Sequence, residues 1–215
     1  MFLVSFLILA ILMNLYQKHI LPKLLNFTMQ RSEMEKHRPD IVGQASGVVL
    51  EVGFGSGLNL PYYKNVSKLY ALDPSRELYD IAKDRVEKAL FTTEHLEASA
   101  ENIPLASGTI DCVVSTWSLC SIPNPEIALG EIFRVLKSGG RFMFIEHGKS
   151  PIIFVGKIQK LFTPISKCVA GGCHMDRDIE KMIKNAGFEI QKLEKFQQKF
   201  KPLAFMYKGV AAVKK

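Results

Sequence analysis

Three glycines at alternate positions, Gly53, Gly55 and Gly57, follow an acidic residue, Glu51, in the stretch VVLEVGFGSGLNLP. Glycine is needed where another group must come close to the backbone and no side chain can be allowed. Asp73 lies 16 residues beyond the last of the three. A carboxylate placed there can accept hydrogen bonds from both hydroxyls of a ribose. The first chemistry the pattern suggests is therefore nucleoside binding on bare main chain. Two phosphate-binding patterns fail. A dinucleotide loop, G-x-G-x-x-G, would need glycine where Leu58 stands. A G-x-x-x-x-G-K-[ST] loop would need a Lys-Ser/Thr pair that does not follow. Two histidines, His147 in FIEHG and His174 in GGCHMDRD, are placed for proton transfer near neutral pH.

These residues need a scaffold to bring them together. The β-branched run at 48–52 reads as a buried strand, and 58–63 as the start of a helix. A second strand at 68–73 ends in Asp73, and a helix at 74–90 puts Leu78, Ile81, Ala82, Val86 and Ala89 on one face. Strands at 94–99, 110–116 and 141–146 follow, with a helix at 125–136 and a Ser138-Gly139-Gly140 turn between the last two. Strands alternating with helices predict an α/β, Rossmann-like doubly wound fold with a mainly parallel sheet. The glycine turn then lies at the carboxyl edge of the sheet, where a helix N-terminus offers free amides. A helix at 178–186, capped by Gly187, precedes two strands joined through Pro202, which predict a C-terminal antiparallel hairpin.

A length of 215 residues suggests one domain with a short appendage. Residues 1–16, MFLVSFLILAILMNLY, are apolar except for Ser5 and Asn14. The run is slightly short of the about 20 residues a spanning helix needs. It lacks the basic start and small-x-small site of a cleaved signal peptide, so it predicts an uncleaved hydrophobic helix that anchors the chain to a membrane. Lys18, His19, Lys23 and Arg31 follow it, which would keep the body on the cytoplasmic side. Residues 17–45 read as linker or lid helices broken near Pro22 and Pro39, and 46–215 as the main domain. Within that domain the segment 150–175 breaks the rhythm. Ile152, Val155, Ile158, Gln159, Phe162 and Ile165 fall near one stripe, as in a crossover helix with a buried face or an insertion that covers a pocket or touches a membrane.

Charge is uneven. Residues 1–148 carry 14 Lys/Arg against 16 Asp/Glu, and residues 149–215 carry 14 against 5. A basic C-terminal third could face lipid headgroups or nucleic acid. The four cysteines show no paired framework and read as reduced thiols. Cys120, Cys168, Cys173 and His174 lack C-x-x-C spacing, so no metal site is expected.

The acidic-x-G-x-G-x-G pattern with its spaced aspartate resembles the class I S-adenosylmethionine-dependent methyltransferases. ASAENIP, residues 98–104, stands where many members carry G-D-A-E-x-L-P, with Ser99 at the Asp position. TWSLCSIPNPEIALGEIFRVLKSGGRFMFIEHG is similar to the family's L-x-H-x-x-D…L-x-E-x-x-R-V-L-K-P-G-G segment, with Ser138 in place of the usual Pro. The resemblance implies S-adenosyl-L-methionine as cofactor. It implies that Glu51, Gly53, Gly55 and Gly57 border the amino-acid end, and that Asp73 with Pro74 holds the ribose. Ser99, Ala100 and Glu101 would lie at the adenine, and Trp117 and Ser118 against the methionine.

The likeness is finer in VVLEVGFGSGLNLPYY…LYALDPS, in the EH after the fifth strand, and in GGCHMDRD. These are similar to the branch that includes microsomal alkyl-thiol methyltransferases and bacterial phospholipid- or quinone-type methyltransferases. That branch implies a small or lipophilic acceptor, a thiol, a phospholipid amine or a quinone precursor, and members often carry a hydrophobic N-terminal segment. Methyl transfer is an in-line displacement that needs alignment in a dry pocket. A base is needed only if the acceptor must lose a proton, and His147 and His174 are the candidates. The basic C-terminal third raises a nucleic-acid methyltransferase as an alternative. The position of the [N/D]-P-P-[Y/F] motif of base methylation reads STWSLC, and no RNA-binding module is appended. A non-catalytic cofactor-binding protein is the remaining alternative.

Overall fold

The computed structural model describes residues 11–199 and 201–213. Five strands run parallel: β1 (Ser46–Val52), β2 (Asn65–Leu72), β3 (Thr92–Leu96), β4 (Ile110–Thr116) and β5 (Leu136–Gly148). β6 (Glu189–Gln197) and β7 (Phe205–Ala212) form the expected hairpin, and β7 pairs antiparallel with β5. The order across the sheet is β3-β2-β1-β4-β5-β7-β6. The strand order reverses between the parallel neighbours β1 and β4, which leaves a crevice at the carboxyl edge of the central strands.

The sheet is covered on both faces, as a parallel sheet must be. On one face Leu50, Val52, Phe142 and Phe144 pack with helices α5 (Pro125–Val135) and α7 (Ile179–Asn185). Helix α5 contributes Ala128, Leu129, Ile132 and Val135, the i, i+1, i+4, i+7 side of an amphipathic helix. On the other face Val49, Val114, Met143 and Ile145 pack with Ile41 and Val42 of α3 (Arg38–Val42) and Ala82 of α4 (Arg76–Glu87). Ser75 caps α4, its side chain accepting from the Leu78 amide at 3.2 Å.

Two expectations change. The helix expected at 58–63 is only a 3-10 turn, Leu60–Tyr62. Leu60 and Tyr63 are buried at its two ends, and β2 begins at Asn65, so the chain has no room to propagate an α-helix. The helix of the 150–175 segment exists as α6 (Ile153–Val169), but it is rotated so that, of the expected stripe, only Gln159 is fully buried and Val155 and Ile158 are half-buried. It buries Gly156, Gln159 and Thr163, while Ile152, Ile153, Phe154, Leu161, Phe162, Ile165 and Val169 are exposed. Gln159 is the reason. Its side chain accepts from Ser150 N at 2.8 Å and donates to the carbonyls of Gly148 at 3.1 Å and Leu203 at 2.9 Å. A buried amide so fully satisfied fixes which side of the helix faces inward.

The N-terminal apolar run is described only from Ile11 onward; residues 1–10 of the expected anchor lie outside the described residues. Residues 11–15 are helical and continue through a π turn, Tyr16–Ile20, into α1 (Leu21–Met29), which α2 (Ser32–Glu35) follows. Among the described residues no helix is long and apolar enough to cross a membrane. Ile11, Leu12, Leu15, Ile20, Leu24 and Phe27 are nonetheless exposed. Tyr16 donates its hydroxyl to Val169 O at 2.8 Å, so this apolar surface adjoins the end of α6.

Candidate active site

A cavity of about 570 Å³ opens at the carboxyl edge of the sheet, within the range of small-molecule sites. Residues that directly follow β3, β2, β1 and β4 line it in that spatial order: Ser99 and Ala100, then Asp73 and Pro74, then Gly53 and Gly55, then Trp117 and Ser118. His147, at the end of β5, lines it beyond them. With strands about 4.8 Å apart, β3 to β5 sets out about 19 Å, long enough for a nucleoside, its substituent and a second reactant.

The three glycines serve three different purposes. At Gly53 a Cβ would stand 2.0 Å from Ser118 Oγ, so the space is taken by the protein's own loop. At Gly57 it would meet Leu60, Phe54 and Ala82 in the core. Only Gly55 faces open space. The expectation of a bare ledge over all of 53–57 is thus corrected, because Ser118 and the core close two of its positions. All three residues have positive φ, which keeps glycine favoured at each.

Glu51 is fully buried, and its carboxylate accepts from Asn59 Nδ2 at 2.8 Å and Tyr63 Oη at 2.7 Å. Burial pushes its pKa up to about 7, against the pull of those two bonds and of the Arg38 cation. Glu51 therefore braces the loop from behind. Asp73 accepts from Gly55 N and Ser75 N, each at 2.8 Å. Burial raises its pKa while those amides oppose the rise. One amide bond on each oxygen leaves lone pairs free for two hydroxyls.

Trp117 is the one non-glycine residue with positive φ among the described residues, at 56°. A bulky side chain held there is strained, and such strain collects at functional sites. Its Nε1 is buried without a partner. Glu146 holds this turn in place, accepting from Ser115 Oγ at 2.7 Å and Ser118 N at 3.2 Å. Its burial pushes its own pKa up to about 7.

Arg38, from α3, was not singled out by its local sequence. It is buried, lies over the Trp117 ring at 4.7 Å, and donates to Asn59 Oδ1 at 2.6 Å and Met29 O at 3.3 Å. A planar cation beside an unpartnered indole N–H and an open glycine backbone is a cradle for an amino-acid carboxylate. The donor set fits S-adenosylmethionine: an acid for the ribose, a cation for the carboxylate, and an aromatic beside it.

Not every expected residue reaches the cavity. Glu101 turns away, accepting from the Asn124 amide at 2.6 Å and the Asn124 side chain at 2.8 Å. Gly57 shapes the turn and the His174 side chain lies outside the lining. Burial, then Arg177, lowers the pKa of His174. His147 does line the cavity, but both ring nitrogens are engaged: Nε2 with Leu203 O at 3.0 Å and Nδ1 with the Cys173 thiol at 3.5 Å. Among the described residues no cluster of three or more His, Cys, Asp or Glu could hold a metal ion.

Comparison with known proteins agrees with this geometry. A family described as "Methyltransferase domain" matches residues 50–144, from the glycine loop through β5. Thiol S-methyltransferase TMT1B of Rattus norvegicus is 32% identical over 174 residues, covering 77% of this chain and 70% of that protein. The chain belongs to the S-adenosylmethionine-dependent methyltransferases. Phosphatidylethanolamine N-methyltransferase of Cereibacter sphaeroides is 30% identical to this methyltransferase over 154 residues, covering 69% of the chain and 73% of the relative. In fold, the methyltransferase is similar to a SAM-dependent methyltransferase from Aquifex aeolicus, with a TM-score of 0.64 at 20% identity over 89% of this chain and 98% of that one.

Proposed function

We propose that this methyltransferase acts on a small lipophilic acceptor, a thiol in the first instance, taken up from a membrane surface. The observation that supports this most is the setting of the cavity beyond Trp117. Its wall there is made by Leu25 and Met29 of α1, Ile122, Ala170 and Gly171, and Met206. Just outside lie the exposed apolar residues of α6 and of helix 11–29. A lipophilic acceptor held in a bilayer would reach the cavity without crossing water.

Asp73 grips the ribose, Arg38 and Trp117 orient the amino-acid end, and Ser99 with the Ala100 amide borders the adenine. When bound, the cofactor supplies a methyl group already activated by sulfonium charge. The chain's part is to align the acceptor atom and keep water out. The α1–α3 segment acts as a lid in this reading, since Leu25, Asn26, Met29, Met34 and Arg38 close one side of the cavity. A thiol acceptor must lose one proton. His147 is the histidine on the cavity wall, and it receives that proton only by exchanging its contact with Cys173.

TMT1B supports a thiol by likeness. A phospholipid amine is the second reading, favoured by Lys201, a cation on the cavity wall suited to a lipid phosphate. The test is incubation of the full chain with methyl-labelled cofactor, alkyl thiols and phosphatidylethanolamine vesicles. Label in the alkyl thiol supports the first reading, and label in the phospholipid replaces it with the second. Label in neither removes both.

A further inference from the structure

Two cysteines that the cofactor site does not use meet on the cavity wall. Cys120 follows the strained Trp117 turn, and Cys173 follows α6; both line the cavity. Their segments are joined, because His174 N donates to Cys120 O at 2.7 Å. The 172–173 turn lies directly on Ser121, so close that a Cβ at Gly172 would stand 3.0 Å from Ser121 O. All four cysteines of the chain are free thiols.

His147 completes the group. Its Nε2 faces the Leu203 carbonyl, which can only accept, so Nε2 carries a hydrogen. Nδ1 is then the atom that accepts the Cys173 thiol proton across 3.5 Å. The Cys120 thiol, which also faces Trp117 O at 3.6 Å, lies against the Cys173 sulfur; that contact, then those with His147 and Ser166, holds Cys173 well below the ordinary thiol range although burial opposes them. The same contact, with burial, pushes Cys120 up. For His147, burial disfavours the charged form, but Cys173 with the other contacts outweighs it and raises the pKa. One sulfur is thus a stabilised thiolate open to the cavity, and its neighbour is a protonated thiol. That asymmetry is the chemistry of an attacking and a resolving cysteine.

We propose that Cys173 and Cys120 form a reversible disulfide that ties the loop after α6 to the loop after β4 and shuts the acceptor end of the cavity. The oxidant is a hydroperoxide. The Cys173 thiolate attacks one peroxide oxygen, the O–O bond breaks, and the departing alkoxide takes the proton from His147. Cys173 is then a sulfenic acid. Cys120 gives its proton to His147 and attacks the Cys173 sulfur. The S–O bond breaks, and the leaving hydroxide recovers that proton as water. Two thiols and one hydroperoxide become one disulfide, one alcohol and one water, with two electrons passing from sulfur to peroxide.

Cross-linking is independent of the acceptor reading above, because it can be read without any acceptor. The full chain, reduced and then freed of reductant, is treated with one equivalent of cumene hydroperoxide, alkylated and digested. A peptide joining Cys120 to Cys173 is expected, with Cys112 and Cys168 alkylated. The link must persist in Cys168→Ser, whose missing thiol is the exposed competitor. Sulfinic acid at Cys173 with Cys120 free, or a Cys168–Cys173 link, overturns the proposal. Cofactor affinity, read by calorimetry, should stay within about twofold on oxidation, since the adenosine end is remote from the link. Methyl transfer should fall at least about tenfold and return with dithiothreitol. Unchanged transfer by fully cross-linked protein overturns the closure.

Discussion

The two ends of the cavity are built from different materials. At the end formed by β1, β2 and β3, the lining comes from positive-φ glycines and carboxylates locked by hydrogen bonds, such as Glu51 between Asn59 and Tyr63. At the end formed by β4, β5 and β7, it comes from soft or apolar groups: Cys120, Cys173, His147, Met206 and the flank of α6. A rigid first end suits a ligand with fixed hydroxyls and charges, which only fixed partners can match. The second has few directional groups, which suits an acceptor recognised by shape and hydrophobicity. Rigidity follows polarity here: each buried polar atom demands a partner, and the partners lock the backbone.

The contrast can be broken at several points. The largest effect is expected from Arg38→Met, which removes the cation near Glu51 and over Trp117. Urea unfolding should show a loss of about 3 kcal/mol, because Asn59 Oδ1 and Met29 O lose a buried charged donor. A loss within experimental scatter would mean that the rigid end does not depend on this charge.

Glu146→Gln comes next and is read against pH. The native pKa of Glu146 is raised, from 4.5 to about 7, so the folded state holds a proton that the unfolded chain releases. Its stabilising contribution is complete below pH 4.5 and is lost as pH rises through 7. The wild type should therefore lose more stability between pH 5 and pH 7.5 than the glutamine variant, by up to about 3 kcal/mol. Parallel curves would deny the buried carboxyl any such role.

Asp73→Ala should weaken cofactor binding by about 1–3 kcal/mol, leaving ribose hydroxyls unpaired. Calorimetry with S-adenosylhomocysteine measures it, and an unaltered affinity would move the ribose elsewhere. The smallest change in stability belongs to the soft end. Ile153→Ser with Phe154→Ser on the exposed face of α6 should alter folding stability by no more than about 0.5 kcal/mol. The same pair should reduce sedimentation with phospholipid vesicles. Full retention on vesicles would show that this face is not what touches lipid.

Much of the fold, and of the rigid end, was legible from the residues alone. β4 was expected at 110–116 and is Ile110–Thr116; α5 was expected at 125–136 and is Pro125–Val135. Strong periodicity and a proline at the helix start carry those boundaries. The glycine loop and Asp73 were legible because their spacing is local. The soft end was not. Periodicity located α6 but could not show that Gln159 would be its buried anchor, because the partners of that amide are backbone atoms of Gly148, Ser150 and Leu203. Arg38 gave no local signal, since its partners Asn59 and Trp117 lie on other loops. The contact between His147 and Cys173 joins the end of β5 to the loop beyond α6, and spacing alone does not encode it.

The 3-10 turn at Leu60–Tyr62, standing where a full helix was expected, bears on the kind of charge that suits the glycine loop. A long helix aimed at that loop would present a positive macrodipole, favouring phosphate and opposing a cation. With no such helix, and with two acids close by, the local field suits a positively charged sulfur centre. Phosphorylated nucleotides that share the same adenosine would find no long helix N-terminus there to hold a phosphate.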